Sequence, residues 1–169
     1  PMATYELPDL RYDYAALEPH MSARQLELHH SKHHATYVKQ ANELLEKLAE
    51  AETAQLPALT KALAFNVSGH VLHSLFWDSL TPGGSRPTGA LADAIESTFG
   101  SRNALVEQLS GVITTLQGSG WAALVWEPVA QRLVVTQLRD HQDNSIVGAS
   151  AVLVIDGWEH AYYLDHQND

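Results

Sequence analysis

The sequence contains no cysteine, which excludes disulfides, thiolate metal ligation and thiol nucleophiles. No apolar run approaches the roughly 18 residues that a membrane-crossing helix needs. The first residues, Pro1 to Glu6, lack the basic-then-apolar pattern of a secretion signal, so a cytoplasmic protein is expected. Positive charge is scarce: 10 Lys and Arg stand against 20 Asp and Glu, for a net charge of −10. Such a surface repels a phosphate backbone and argues against a nucleic-acid partner. Phosphate loops are missing too, since Gly118-Ser119-Gly120 lacks the context of either nucleotide motif. No serine sits in a G-x-S-x-G elbow. What the chain does have is 169 residues, 45% hydrophobic and 18% charged, enough for an ordinary globular core. It also has ten histidines, four of them between His29 and His34.

The main punctuation is the turn-rich run from Pro82 to Gly89, which predicts two halves, 1–88 and 89–169. Before it the pattern is helical. Ser22-Ala23-Arg24-Gln25 reads as a capping box, with the Ser22 hydroxyl and the Gln25 amide both taking free backbone N–H groups. A long helix is expected from there to about Glu50, and a second from Leu59 to Leu80, paired as an antiparallel hairpin. Past the linker, Leu91 to Phe99 predicts a short helix stopped by Gly100. Ser101 caps another that ends near Gly118-Ser119-Gly120. Trp121–Trp126 and Arg132–Leu138 then read as a β-hairpin, and Ala151–Ile155 as a buried third strand. Trp158 to His166 reads as a closing helix. The fold class is α+β: a long helical hairpin against an α/β half with a small three-stranded antiparallel sheet.

His29, His33 and Tyr37 are spaced four apart, so one helix puts them on one face. His30 and His34 are rotated away from that face. His70 and His73 are near neighbours on the second helix. After the third strand, Asp156-Gly157-Trp158-Glu159-His160 sets a carboxylate and an imidazole four apart. A single helical histidine is most often a hydrogen-bonded or surface residue. Taken together, three or four imidazoles and one carboxylate form a nitrogen–oxygen donor set for iron, manganese, zinc or copper. Phe76, Trp77, Trp121 and Trp126 read as core.

Leu7-Pro8-Asp9-Leu10, the run from His29 to Tyr37, and His73-Ser74-Leu75-Phe76-Trp77 resemble the N-terminal half of iron/manganese superoxide dismutases. Gly118-Ser119-Gly120-Trp121 and Asp156-Gly157-Trp158-Glu159-His160-Ala161-Tyr162-Tyr163 resemble that family's later motifs, in the same order. The resemblance covers essentially the whole chain. It implies one iron or manganese ion per chain, held by His29, His73, Asp156 and His160, with a solvent molecule as fifth ligand. His33 and Tyr37 match the pair that gates the substrate funnel, and His141 matches the residue that hydrogen-bonds the bound solvent. Gln142 is the rival for that last role. The step from His141 to Asp156 matches iron-type actinobacterial relatives and favours His141. Trp77, Trp121 and Trp158 would wall the pocket, and His70 would pack between helices.

The resemblance further implies superoxide as substrate and a homodimer or higher homo-oligomer. Glu159 would then reach the partner's His160, and Tyr163 the partner's His33. The chain departs from the family pattern at Leu72, where an asparagine is usual, and between Asn144 and Ser150. Relatives also continue for another helix or two past position 169, so the C-terminal half is expected to be shortened. Two functions follow: dismutation of superoxide to dioxygen and hydrogen peroxide, or metal-dependent oxidation of an organic substrate in a more open pocket.

Overall fold

A computed structural model describes residues 4–169; the signal-peptide reading, so far as it concerns residues 1–3, lies outside the described residues. Helix α1 (Ala23–Leu28) begins at Ser22, whose hydroxyl accepts from Gln25 N–H at 3.1 Å. It runs without a break through a π-helical turn (His29–His34) into α2 (Ala35–Ala49). The expected long helix is therefore present, but its central turn is wider than an α-turn. The Ala35 N–H reaches back to the His30 carbonyl across this turn, and turns of this kind concentrate at functional sites.

Helix α3 (Leu56–Ser79) starts three residues before the expected Leu59 because Pro57 occupies its first turn. A proline there costs no hydrogen bond, since those N–H groups have no partner within the helix. Tyr37, Val38 and Ala41 are the buried face of α2, and α2 packs along α3 to close the hairpin. Beyond the linker come α4 (Gly89–Phe99) and α5 (Arg102–Thr114), the latter capped by the Ser101 hydroxyl on Ala104 N–H at 3.0 Å. Helix α5 ends earlier than expected. The closing helix is also shorter than expected: a 3-10 turn (Glu159–Ala161) precedes a single turn, α6 (Tyr163–His166).

The sheet has the order β2-β1-β3, all antiparallel, with β1 (Gly120–Glu127) between β2 (Arg132–Arg139) and β3 (Ser150–Asp156). As the central strand, β1 is buried on both faces, and its side chains alternate between two cores. Trp121, Ala123 and Val125 pack with Leu72, Phe76 and Trp77 of α3. Ala122 and Leu124 pack with Ile95, Leu105 and Leu109 of α4 and α5. Gly120 has no alternative at the strand's first position: a Cβ there would lie 2.1 Å from the Leu138 carbonyl oxygen. The register sets Trp121 opposite Asp156. Val154 sits on the α3 side, and by alternation so does Asp156, which therefore faces the helical hairpin. Leu72, the departure from the family pattern, is an ordinary core residue here, 5% exposed. No helix among the described residues is long and apolar enough to cross a membrane.

Candidate metal centre

The hairpin supplies two imidazoles and the end of the sheet supplies the other two donors. His29 comes from the π-helical turn, His73 from mid-α3, Asp156 from the last position of β3, and His160 from the 3-10 turn after it. One donor atom from each lies within 4.8 Å of all the others. Asp156 Oδ2 is the hub. It lies 3.1 Å from His160 Nε2, 3.2 Å from His29 Nε2 and 3.6 Å from His73 Nε2. His29, His73 and Asp156 are closed off from solvent, and the His160 side chain is 20% exposed.

The donor chemistry fits a bound cation. His73 Nδ1–H donates to the Gly69 carbonyl at 2.7 Å, which leaves the Nε2 lone pair aimed at the centre. Both His73 Nε2 and His29 Nε2 are buried without a hydrogen-bond partner, an expensive state for an imidazole unless a metal takes the lone pair. Burial holds both rings neutral by lowering their pKa, and a neutral imidazole is the form that ligates. Burial alone would raise the Asp156 carboxyl, but the hydrogen-bonded imidazole of His160 and the close His29 ring bring it below the ordinary carboxylate range. The site is thus one anion among neutral nitrogens, without thiolate, as iron and manganese accept. Trp77 packs edge-on to His29 at 4.8 Å, Trp121 edge-on to His73 at 5.0 Å, and Trp158 stacks near His160 at 5.4 Å.

A hydrogen-bonded chain runs beside the donors, and its direction follows from which groups can only donate. Trp121 Nε1–H donates to His141 Nδ1 at 3.1 Å. A neutral His141 must then carry its proton on Nε2, and it donates to Tyr37 Oη at 2.7 Å. The Tyr37 hydroxyl is left to donate to His33 Nε2 at 3.1 Å. Burial lowers His141 to about 4 and, reinforced by the nearby His160 and His29 rings, His33 to about 3. Burial, then the charges of Asp156 and Asp140, push the Tyr37 phenol well above its ordinary value. All three are therefore neutral near pH 7, with the proton on Tyr37 Oη. His141 is 1% exposed, and the chain joins residues 104 positions apart in sequence.

The other members of the histidine run have separate tasks. His30 Nε2–H donates to the Pro8 carbonyl at 2.7 Å and its Nδ1 accepts from the Tyr14 hydroxyl at 3.0 Å, which pins the N-terminal segment. His34 Nδ1 accepts from Trp77 Nε1–H at 2.9 Å, so its Nε2–H donates to His70 Nδ1 at 2.8 Å. His70 thus packs between the helices, as expected. Gln142 has a buried Oε1 with no partner, and the chain through Tyr37 involves His141. Residue patterns alone did not single out three further contributors. Gly69 gives its carbonyl to His73 and lies against the Tyr37 ring, Phe65 packs 4.7 Å from His141, and Gln25 lies buried under His160. In the sequence Gln25 reads only as the capping partner of Ser22.

The capping box is only half formed. The Ser22 hydroxyl caps as expected, but the Ser22 N–H donates to Asp165 Oδ2 at 2.8 Å, and the Gln25 amide donates to the His160 carbonyl. A cavity of ≈370 Å³ opens beside the centre, lined by His29, Lys32, His33 and His160 among others. The segment 144–150 does not contribute to its walls.

Comparison with known proteins agrees with this construction. The sequence model of the iron/manganese superoxide dismutase alpha-hairpin domain matches residues 4–81, and that of the family's C-terminal domain matches residues 87–169. An iron superoxide dismutase of Mycobacterium tuberculosis is 50% identical over 172 residues, covering 99% of this chain and 83% of that protein. A manganese/iron superoxide dismutase of Propionibacterium freudenreichii subsp. shermanii is 48% identical over 173 residues, covering 98% and 86%. A manganese superoxide dismutase of Mycolicibacterium smegmatis is 49% identical over 172 residues, covering 99% and 83%. With both halves matched in sequence and one carboxylate gathered among three imidazoles where those halves meet, the chain belongs to the iron/manganese superoxide dismutase family.

Proposed function

We propose that the chain dismutes superoxide at one iron or manganese ion held by His29, His73, Asp156 and His160, with Tyr37, His33 and His141 controlling the proton. The observation that carries this reading is the convergence of three imidazole nitrogens within 3.1–3.6 Å of one buried carboxylate oxygen. The relatives' names, all dismutases, favour this over oxidation of an organic substrate. The bound ion supplies a one-electron couple: one superoxide gives up an electron and leaves as dioxygen, and a second gains one and, with two protons, leaves as hydrogen peroxide.

The protein's own groups supply the rest. Asp156 is the one anionic donor and offsets the cation's charge. The three indoles and Phe76 keep the surroundings apolar, which strengthens every electrostatic contact inside. Tyr37 holds a proton at Oη close to the centre. When it gives that proton up, His141 Nε2–H already points at the phenolate oxygen and stabilises it. His33, half-buried and lining the cavity, lies between Tyr37 and solvent and can return the proton.

The assembly we infer is a homodimer built around this cavity. Glu159, Tyr162, Tyr163 and Leu164 are exposed next to His160, and a patch of aromatic and aliphatic side chains beside a buried centre is what a second copy would cover. Metal analysis of the purified protein, paired with superoxide consumption on the same sample, tests the function. Wild type should carry about one ion per chain and turn over superoxide. Asp156→Ala should lose both, because no other anionic donor remains. An Asp156→Ala protein with full metal content would refute the ligand set, and a loaded but inert wild type would refute the activity.

A further inference from the structure

Of the four donors, His160 has the weakest footing. His29 and His73 ride on long helices and Asp156 ends a strand paired in register. His160 sits on a three-residue 3-10 turn, and its side chain is the only one of the four open to solvent. Something must hold its backbone in place for the Nε2 to meet the other three donors. Two bonds from the start of α1 reach this segment: Ser22 N–H to Asp165 Oδ2, and Gln25 Nε2–H to the His160 carbonyl. Gln25 is 1% exposed, beside the fully buried Leu26. A position this deep on an amphipathic helix ordinarily takes an apolar side chain, because a buried amide costs free energy unless both ends are bonded. Here the Nε2 end is bonded and the Oε1 end is buried without a partner. The side chain is also free of the capping duty that its position three residues after Ser22 suggests.

We propose that Gln25 is a positioning residue for the metal centre: its amide fixes the His160 carbonyl, and through it the reach of the His160 imidazole toward the ion. This rests on the ligand set proposed above. The unpartnered oxygen is then the residual cost of placing a donor under a ligand residue. It also gives the two roles opposite signatures. A residue that only stabilises the fold weakens the metal-free protein when replaced. A positioning residue leaves the metal-free fold intact and weakens the centre.

The test strips wild type, Gln25→Met and Asp156→Ala of metal and titrates each with Mn(II) against a competing chelator. The metal-free unfolding midpoints are measured alongside, with the visible absorption of the Co(II)-loaded forms. Methionine keeps the length and the packing of Gln25 but removes the N–H donor and the bare oxygen. The expected result is an unchanged or raised metal-free midpoint, ~10–100-fold weaker Mn(II) binding, the usual effect of losing a group that orients a ligand, and shifted Co(II) bands. Gln25→Leu should do the same. Unchanged affinity and bands in either variant would overturn the proposal, as would failure of both variants to fold, which would assign Gln25 to the core. If wild type binds no Mn(II), or Asp156→Ala binds it equally well, the ligand assignment itself falls and this inference with it.

Discussion

At the residue scale, the centre depends on side chains whose two ends do different things. His73 ties Nδ1 to the Gly69 carbonyl so that Nε2 is free, and His141 accepts from Trp121 so that Nε2–H points at Tyr37. The second arrangement predicts a separation between metal content and turnover. Among the described residues His141 offers the centre no donor atom in the cluster that Asp156 gathers. His141→Ala should therefore keep its metal while superoxide consumption falls by at least ~10-fold. Tyr37→Phe removes the proton at Oη without disturbing the donors, and should slow peroxide formation more than dioxygen formation. Pulse radiolysis with separate pre-reduced and pre-oxidised samples resolves the two half-reactions. Equal slowing of both would show that Tyr37 acts on the centre's geometry rather than on the proton.

At the element scale, the hairpin of α2 and α3 sets how closely Tyr37 approaches His73. Gly69 permits this: a Cβ there would lie 2.9–3.0 Å from three carbons of the Tyr37 ring. Gly69→Ala should force the ring or the helix aside, at a cost of about 1–3 kcal/mol typical of overpacking. The lengthened Tyr37–His141 bond should also lower turnover; urea midpoints and superoxide assays on the same variant check both. This also marks what the sequence could and could not reveal. The β-former-rich run of β1 and the helix caps at Ser22 and Ser101 are local patterns, and local patterns are legible. The π-helical turn is not, because a run of histidines carries no signal for a widened turn. Gln25 reads as a capping partner because Ser22 stands three residues before it; the tertiary contact with His160 won over the local one. Likewise the Tyr37–His141 bond spans 104 positions; the resemblance to a family named both residues, and the fold alone pairs them.

At the scale of the whole molecule, assembly and acid sensitivity both follow from where the histidines lie. If a second copy covers the exposed patch at Glu159 and Tyr163, Glu159→Ala should loosen association and metal retention together. Sedimentation of wild type as a metal-loaded monomer at micromolar concentration would contradict the dimer. The metal-free protein carries a second consequence. Burial brings His33 and His34 down to about 3 and His141 to about 4, each against an ordinary 6.5. Between these values and 6.5 the unfolded chain takes up protons that the folded chain refuses, so stability rises with pH across that window and is fully present above it. Asp156 acts in the same direction at the acid end: held below its ordinary value, it contributes stability that is lost as acid protonates it. The three rings share neighbours, so their contributions do not simply add. The urea midpoint of the metal-free protein should be flat from about pH 8 to 7 and then fall steadily from 6.5 toward 4. A midpoint constant across pH 6.5–4 would mean that the rings accept protons without unfolding. That would contradict the closed, neutral cluster in which His34 bonds Trp77 and His70, and His141 bonds Trp121 and Tyr37.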